Sequence, residues 1–435
     1  MTAPDPHDMP KEPSMIRQKE LISGHYDKLA TAHEEGKKVC YTFVPGNLTE
    51  LLLAFDVLPV LPEINALQSG MRKKSGAYIA EAEKHGHSED VCSYVKCDLG
   101  MMKTGLGPTG KHMPPPDLLL LSYTGCFTFM KWFELLKQEY PQAEIAMLHV
   151  PYQGQGEITQ AMRDYVVKQL RTEVVPKLEK VTGKKLDEDR LKELLERSAR
   201  AEQDLVWVLE SGKRRPSPID GYFGGVFYIG PIFTAFRGTE EGCDYYRILR
   251  EEVQGRIDRR EGPVTPIGSL DQQKYRVVVE GPPNWTSFRD FWEMFAAEGA
   301  VCVASTYTKV GGLYDQGFRH DPTHPFESLA DYCLGCYTNL NLPTRTGLIA
   351  KYVEEYEADG FIVHSIKSCN SFSAGQLLIL REIERRTGVP GGFIESDLVD
   401  PRYFSPANVK NRLESYFQMI EQRRRGAAPA AEARP

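Results

Sequence analysis

The sequence predicts an α/β protein with two parallel-sheet domains and a helical region inserted between them. Strand-like apolar runs alternate with amphipathic helical segments near both ends of the chain, and such alternation is typical of parallel sheets. The middle of the chain lacks this alternation and instead carries dense charge with apolar residues at helical spacing. Two distant stretches also share one order of features, which indicates that the first and last domains have a common architecture.

The alternation begins at residue 38. KVCYTFVPG predicts a strand, NLTELLLAFD a helix that starts at its Asn, and DVCSYVKCDLGMM a further helix. DLLLLSYTG is a short apolar run, typical of a buried strand. FTFMKWFELLKQEY predicts an amphipathic helix that ends before Pro141, and AEIAMLHVPY predicts the next strand. We therefore expect an N-terminal tail and lead-in helix over residues 1–35 and a first α/β domain over residues 36–155.

The charged segment LDEDRLKELLERSARAEQDLVWVLESGKRRPSP lies in the predicted helical region, residues 156–270. Alternation then returns. YRVVVEGPPN, GAVCVASTYT, GFIVHSIKSC and GGFIESD predict strands, and SAGQLLILREIERRTG predicts a helix that ends at a Gly. We expect a second α/β domain over residues 271–425. The last ten residues, GAAPAAEARP, predict a disordered tail over residues 426–435.

The internal repeat relates DLLLLSYTGCFTFMKWFELLKQEYPQAEIAMLHVPY to DGFIVHSIKSCNSFSAGQLLILREIERRTGVPGGFIESD. Each contains an Asp, an apolar strand, a Ser, a short loop ending in Cys, a helix, a Pro and another strand. Cys126 and Cys369 occupy the same place in the two copies, the turn from strand to helix. Ligands bind at that edge of open α/β sheets, so two facing domains would form a crevice between these turns.

Composition excludes several classes of protein. The net charge is −7 with no basic stripe, which disfavours nucleic acid as a partner. The apolar runs are too short to span a bilayer, and the polar, proline-rich N-terminus lacks a secretory h-region. We therefore expect a cytoplasmic protein with no membrane partner. In that reducing compartment its nine cysteines would be buried apolar residues, reactive thiols or metal ligands.

One motif resembles a phosphate-binding loop without its context. GLGPTGKH, residues 105–112, nearly matches the Walker A pattern, but His112 replaces the hydroxyl residue that would hold magnesium. MMKT rather than a strand precedes it, and MPPPD rather than a helix follows it. We interpret the segment as a solvated turn.

The cysteine spacings leave alternatives open. Cys92 and Cys97 lie on different faces of a helix, so at most one of them should serve a site. Cys333 and Cys336 form a C-x-x-C pair that suits a metal, redox exchange or chance proximity. Cys126 and Cys369 are either ligands or buried thiols under helix starts.

The histidines show no metal-binding spacing. His149 and His364 fall on predicted strands, and we interpret both as core residues. A chain with many cysteines and no histidine cluster favours sulfur ligation of any metal.

Several long phrases carry a family resemblance: TFVPGNLTEL, GHSEDVCSYVK, PDLLLLSYTGCFTFMKWFELL, EGPPNWTSFRDFW, LADYCLGCYTN, SIKSCNSFSAGQLL and DLVDPRYFSPANVKNRLESYFQM. Through them nearly the whole chain resembles the superfamily of benzoyl-CoA reductases and 2-hydroxyacyl-CoA dehydratases, and within it the B-subunit family of ATP-dependent benzoyl-CoA reductases. The resemblance implies two flavodoxin-like (Rossmann-like) domains around a 4Fe–4S cluster.

The resemblance also implies site residues. Cys92 in EDVCSYVK, Cys126 in SYTGCFTF and Cys369 in IKSCNSF match the three cluster ligands, although Asn370 stands where dehydratases usually have Asp. An aromatic ring offers no hydroxyl to an open iron, so a fourth protein ligand is expected, with Cys336 preferred over Cys333. Glu50 matches a family position and is a candidate for the substrate pocket, with a solvated helix carboxylate as the alternative.

The implied activity is reduction of the aromatic ring of benzoyl-CoA to cyclohexa-1,5-diene-1-carbonyl-CoA, an oxidoreductase step of anaerobic aromatic catabolism with electrons from reduced ferredoxin. The implied assembly is a heterotetramer with a paralogous cluster-binding subunit and two ATPase subunits. Two alternatives stay open: a subunit of a 2-hydroxyacyl-CoA dehydratase, and a non-catalytic structural subunit.

Overall fold

A computed structural model describes residues 12–231, 235–309 and 317–427. Two separate four-stranded sheets, each entirely parallel, are covered by helices. The predicted fold class, two flavodoxin-like α/β domains with an inserted helical region, is confirmed. No helix within the described ranges is long and apolar enough to cross a membrane.

The first sheet is formed by strands β1 to β4: β1 Lys38–Thr42, β2 Val57–Val60, β3 Leu118–Tyr123 and β4 Glu144–His149. Their order across the sheet is β2-β1-β3-β4. The central strand β3 is buried along almost its whole length, as expected for a parallel strand covered on both faces. The edge strand β4 alternates between buried and exposed side chains.

A small antiparallel hairpin, β5 Val264–Thr265 and β6 Gly268–Ser269, precedes the second sheet. The second sheet is formed by β7 Tyr275–Glu280, β8 Ala300–Ser305, β9 Gly360–Ile366 and β10 Gly391–Ser396. Read from β8, its order is β8-β7-β9-β10. In both sheets the strands therefore lie in the order second, first, third, fourth, which is the flavodoxin-like order. The internal repeat in the sequence corresponds to this shared topology.

Seventeen helices occur in the described residues, in addition to short 3₁₀ turns and one π-helical turn at Leu170–Val174. In chain order they are α1 Pro13–Ala30, α2 Thr49–Ala54, α3 Pro62–Met71, α4 Ser75–Lys84, α5 Ser93–Thr104, α6 Thr128–Glu139, α7 Gln160–Gln169, α8 Val175–Thr182, α9 Glu188–Ser211, α10 Phe223–Ile229, α11 Glu240–Arg259, α12 Phe288–Ala297, α13 Pro325–Leu334, α14 Leu342–Glu355, α15 Asn370–Ser373, α16 Gln376–Thr387 and α17 Pro406–Ala427.

The inserted helices α7 to α11 join the two sheets through a shared core. One apolar cluster contains Leu118 and Leu120 of β3, Leu191 and Leu205 of α9, and Val363 of β9. The dense charge of α9 lies on its opposite, exposed face, because its apolar residues recur at helical spacing. The helical region therefore fixes the orientation of one sheet relative to the other.

The structure also adds to and corrects the sequence predictions. The strand β2 and the helices α3 and α4 have no counterpart among them. His364 is buried in the core as expected, between Tyr222 and Ser396, but His149 is exposed at the end of the edge strand β4. Residues 1–11, the first part of the predicted N-terminal segment 1–35, and residues 428–435, most of the predicted C-terminal tail, lie outside the described residues. The domain boundaries stay predictions.

Candidate functional site

A cavity of about 90 Å³ lies between the carboxyl ends of the two sheets. Val44 and Pro45 follow β1, and Pro282 follows β7, so the loops after the first strand of each sheet contribute to its wall. Cys126 and Cys369 follow β3 and β9, the third strands. The strand order reverses between the first and third strands of this fold, because the second strand is added on one side of the first and the third strand on the other. The crevice formed there is where such sheets bind ligands. We call this space the cysteine cavity.

Three of the nine cysteines line this cavity: Cys92, Cys126 and Cys369. Cys92 directly precedes α5, while Cys97 lies within that helix, buried in another apolar cluster. The expectation that at most one of these two faces a site therefore agrees with the structure. Cys126 and Cys369 each lie three residues beyond the last residue of their strand, in equivalent places of the two sheets.

Hydrogen bonds tie the three cysteine-bearing loops together. The amide of Ser93, next to Cys92, donates to Ser368 Oγ at 3.0 Å, and the amide of Ser368, next to Cys369, donates to Asp397 Oδ2 at 2.9 Å. The Thr338 hydroxyl donates to the Thr124 carbonyl at 2.8 Å, close to Cys126. These contacts join residues far apart in sequence, so the positions of the thiols depend on the whole fold.

The three thiols lie in an apolar environment that favours their protonated form. Burial raises the pKa of Cys92 well above its usual value, and the neighbouring thiols of Cys369 and Cys126 raise it further. A hydrogen bond with the Tyr94 backbone amide acts in the opposite direction and lowers it. Burial likewise raises the pKa of Cys126, although hydrogen bonds with the Thr128 and Phe129 backbone amides lower it in part. Burial also raises the pKa of Cys369, to about 12. No Lys, Arg or His side chain is among the described residues that line the cavity.

This donor set fits an iron–sulfur cluster. Among the described residues, no group of three or more His, Cys, Asp or Glu side chains is arranged to hold a single metal ion. A 4Fe–4S cluster requires a different ligand spacing from a single metal ion, because each cysteine binds its own iron and the sulfurs can therefore lie further apart. The three thiols that line one cavity, the backbone amides close to them and the apolar walls fit such a cluster.

The structure does not bring the C-x-x-C pair to this cavity. Cys333 lies in the last turn of α13, not in a loop, and its thiol donates to the Gly46 carbonyl. Cys336 is fully buried, and its thiol donates to the Tyr332 carbonyl at 3.4 Å. Gly46, whose carbonyl accepts from the Cys333 thiol, directly follows Pro45 of the cavity wall. Cys333 therefore lies in a helix and not in the expected loop, whereas Cys336 follows the helix as a loop residue, and neither thiol lines the cysteine cavity.

Glu50 is neither a solvated carboxylate nor part of the cavity wall. Its side chain is fully buried, and Oε1 accepts hydrogen bonds from Arg237 Nε at 3.0 Å and Ser198 Oγ at 2.6 Å. Burial alone would raise the pKa of Glu50, but Arg237, His320 and Ser198 outweigh it and lower the pKa. Glu202, hydrogen-bonded to His320, completes this buried network behind the loop at Pro45.

Glu63 is a cavity residue that sequence reasoning missed. It lies in the first turn of α3, and its Oε2 accepts a hydrogen bond from the Val44 amide at 2.9 Å. Burial raises the pKa of Glu63 to about 8, so a buried carboxylic acid lies on the cavity wall at neutral pH. Tyr94 and Tyr307 line the same wall. In the sequence, the pair Pro62-Glu63 is typical of the start of a helix, and this pattern does not indicate a functional site.

GLGPTGKH forms a turn at the surface, as predicted. Gly105 ends α5 in a left-handed conformation, Gly107 donates to the Lys111 carbonyl at 2.8 Å, and Lys111 forms an exposed ion pair with Asp27. No strand leads into the segment and no helix follows it. The amides of Gly107 and Gly110 both donate to carbonyls within the turn.

The chain is similar to proteins of one family over almost its whole length. Residues 42–420 match the family model of the 2-hydroxyglutaryl-CoA dehydratase D-component. The chain is 66% identical over 421 residues to the B subunit of benzoyl-CoA reductase from Thauera aromatica, covering 97% of each chain. It is 26% identical over 420 residues to the (R)-2-hydroxyisocaproyl-CoA dehydratase alpha subunit of Clostridioides difficile, covering 95% of this chain and 98% of that one. It is 24% identical over 395 residues to the (R)-phenyllactyl-CoA dehydratase alpha subunit of Clostridium sporogenes, covering 89% and 91%.

Proposed function

The chain belongs to the family of the 2-hydroxyglutaryl-CoA dehydratase D-component, and we propose that it is the iron–sulfur subunit of an ATP-dependent benzoyl-CoA reductase. The reaction adds two electrons and two protons to the ring of benzoyl-CoA and yields cyclohexa-1,5-diene-1-carbonyl-CoA. The single observation that carries the proposal is the 66% identity to a benzoyl-CoA reductase subunit over 97% of both chains.

In this proposal Cys92, Cys126 and Cys369 hold a 4Fe–4S cluster in the cysteine cavity. When bound, such a cluster supplies single electrons at a low potential. The chain itself supplies the surroundings: apolar walls that exclude water, amides that face the sulfurs, and hydrogen bonds that keep the three loops in place. Exclusion of water protects a reduced ring from side reactions.

Glu63 supplies a proton in this proposal. Ring reduction needs an acid close to the reacting group, and a carboxyl with a pKa near the working pH is suited to that role. Glu63 carries its proton at neutral pH because the cavity wall is apolar, and the Val44 amide fixes the carboxyl group.

The remaining parts of the reaction belong to other chains. We assign ATP hydrolysis to two ATPase subunits, a second cluster to a paralogous subunit of the same heterotetramer, and electron supply to reduced ferredoxin. GLGPTGKH is a surface turn, which supports the assignment of ATP to a partner. All nine cysteines are free, which supports a location in the reducing cytoplasm.

The test is an anaerobic assay of the complex, co-expressed with its partner subunits and supplied with ATP and reduced ferredoxin. We expect oxidation of ferredoxin and formation of the dienoyl-CoA from benzoyl-CoA, and no dehydration of (R)-2-hydroxyisocaproyl-CoA or (R)-phenyllactyl-CoA. Dehydration without ring reduction would assign the chain to a dehydratase. If this chain, purified by itself without oxygen, is colourless and free of iron, it is a structural subunit.

A further inference from the structure

Asp397 is a buried acid directly behind the wall of the cysteine cavity. It follows the last residue of β10, and the next residue along the chain, Leu398, lines the cavity. Its side chain is fully buried. The side-chain amide of Asn284 donates to the Asp397 carbonyl at 2.7 Å, so the loop after β7 holds this segment in place. The carboxyl group of Asp397 has no part in the proton transfer assigned to Glu63.

The carboxyl group of Asp397 is joined to two of the three cysteine loops. Its Oδ2 accepts a hydrogen bond at 2.9 Å from the amide of Ser368, which directly precedes Cys369. The Ser368 hydroxyl oxygen in turn accepts a hydrogen bond at 3.0 Å from the amide of Ser93, which directly follows Cys92. One residue, Ser368, therefore connects the carboxyl group with the loops of both cysteines.

The other carboxyl oxygen of Asp397 lacks a partner. Oδ1 is buried and has no hydrogen bond with any described residue. In the same part of the chain no Lys, Arg or His forms an ion pair with Asp397, whereas Asp400, three residues later, pairs with Lys96 and Arg402. Burial of a carboxylate without a cation destabilises a fold. The unpaired group therefore indicates a role other than stability.

The charge of Asp397 acts on the thiols of the cavity. Burial is the main cause of the raised pKa of Cys92 and of Cys369, and the negative charge of Asp397 raises both further. A charge that opposes a thiolate also opposes an electron added at the same place. No Lys, Arg or His is among the described residues of the lining to offset it, and salt screens a buried charge only weakly.

We propose that Asp397 sets the reduction potential of the cluster, because its buried negative charge lowers that potential while its hydrogen bond to Ser368 fixes the ligand loops. This inference rests on the proposed function, since it requires a cluster on Cys92, Cys126 and Cys369. The potential of an iron–sulfur cluster depends on the net charge around it. A lower potential makes the cluster a stronger reductant, and an aromatic ring is an acceptor that only a strong reductant can reduce.

The first test removes the charge and keeps the hydrogen bond. Asp397→Asn retains an oxygen that accepts from the Ser368 amide, so we expect full iron content and an upward shift of the midpoint potential. Asp187→Asn is the matched control, because Asp187 also accepts a backbone amide, that of Arg190 at 3.0 Å, but is exposed at the start of α9. Solvent screens that charge, so the control should have the wild-type potential.

The measurement is an anaerobic redox titration of the whole complex, followed by EPR, without ATP or benzoyl-CoA. The signal that Cys369→Ala lacks identifies the cluster of this chain among those of its partners. An unchanged or lower potential in Asp397→Asn would overturn the proposal. Loss of iron in that variant would give Asp397 a structural role and would also overturn it.

The second test removes the hydrogen bond as well. Asp397→Ala has neither the charge nor an acceptor for the Ser368 amide. We expect the upward shift of Asp397→Asn together with faster loss of iron to an anaerobic chelator, because the loops of Cys92 and Cys369 are less firmly held. Equal rates of iron loss in the two variants would disprove the positioning role of the hydrogen bond.

The outcomes also separate this inference from the proposed function. If the wild-type complex reduces benzoyl-CoA and Asp397→Asn has the wild-type potential, the inference is wrong and the function stands. If the potential shifts upward and the wild type reduces no aromatic ring, the inference stands and the function is wrong. If this chain holds no cluster in the complex, both are wrong.

Discussion

At the residue scale, the ligand assignment depends on three thiols that converge from distant parts of the chain. Replacement of Cys126 or Cys369 by Ala should remove most of the cluster iron, because each thiolate binds one iron that no other side chain can hold. Cys243→Ala is the control, since Cys243 is half-buried against the Arg197 carbonyl and away from the cavity. Anaerobic iron and sulfide analysis measures the result. Full iron content in both variants would disprove the assignment.

A second residue-scale prediction concerns the C-x-x-C pair. Cys336→Ser should leave iron content and the EPR spectrum of the reduced complex unchanged, because Cys336 is buried against Tyr332 and does not line the cysteine cavity. Cys333→Ser should behave alike. An altered cluster signal for Cys336→Ser alone would restore it as a fourth ligand and would imply that the loop at Gly46 moves when the cluster binds.

A third prediction concerns Glu63. Glu63→Gln keeps an acceptor for the Val44 amide but carries no acidic proton, so ring reduction should fall by about 10²-fold or more while iron content is retained. Glu134→Gln, on an exposed face of α6, is the control. Turnover is measured under anaerobic conditions with saturating benzoyl-CoA. Wild-type kcat in Glu63→Gln would exclude Glu63 as the acid.

Glu63→Gln should also change how the free energy of unfolding depends on pH. The folded pKa of about 8 lies above the unfolded value of about 4.5, so the fold binds this proton more tightly than the unfolded chain does. The contribution of Glu63 to the free energy of unfolding is therefore complete below pH 4.5 and is lost as the pH rises through 8. The unfolding midpoint of Glu63→Gln relative to wild type should rise steadily between about pH 5 and pH 8. A flat difference would contradict the raised pKa.

At the scale of elements, helix α14 holds the second sheet to the loop of Cys369. Arg345 of α14 donates to the buried carboxylate of Glu280, the last residue of β7, and to the Ser371 carbonyl at 3.3 Å. Tyr337 also donates to Glu280, at 2.8 Å. The end of β7, the helix and the cysteine loop are therefore joined through one arginine.

Arg345→Met should be strongly destabilising, because it leaves the charge of Glu280 buried without its partner. We expect a loss of about 3–5 kcal/mol in the free energy of unfolding, measured by denaturant titration without oxygen. The double variant Arg345→Met, Glu280→Gln should recover part of that loss. Arg247→Met, at an exposed pair on α11, should change it by less than about 0.5 kcal/mol. No recovery in the double variant would show that packing, not charge, dominates.

At the scale of the whole molecule, the proposed cluster ties the two sheets to each other. Cys92 and Cys126 belong to the first half of the chain and Cys369 to the second, so a bound cluster is a cross-link that the unfolded chain cannot make. Removal of iron by an anaerobic chelator should lower the thermal midpoint of the wild type. It should not lower that of Cys369→Ala, which already lacks the cluster. Equal effects on both would show that the chelator acts elsewhere.

The sequence by itself determined the architecture. Apolar runs bounded by Gly, Pro and Asp specified every strand of the two four-stranded sheets except β2, because strand and helix periodicities are local properties. The internal repeat placed Cys126 and Cys369 at equivalent turns, since parallel sheets of one strand order put equivalent loops at the same edge. Even the false phosphate loop could be rejected from its neighbours in sequence.

Only the tertiary structure decided which side chains meet. Glu50 and Glu63 are both helix-start carboxylates in sequence, yet Glu50 is neutralised by Arg237, while Glu63 meets only an amide in an apolar wall. Cys336 looked free to reach the crevice, but its thiol is buried against the Tyr332 carbonyl, and the thiol of Cys333, in the last turn of α13, donates to Gly46. These differences depend on residues up to hundreds of positions away. Periodicity fixes the face of a helix, and only packing between elements determines what that face contacts.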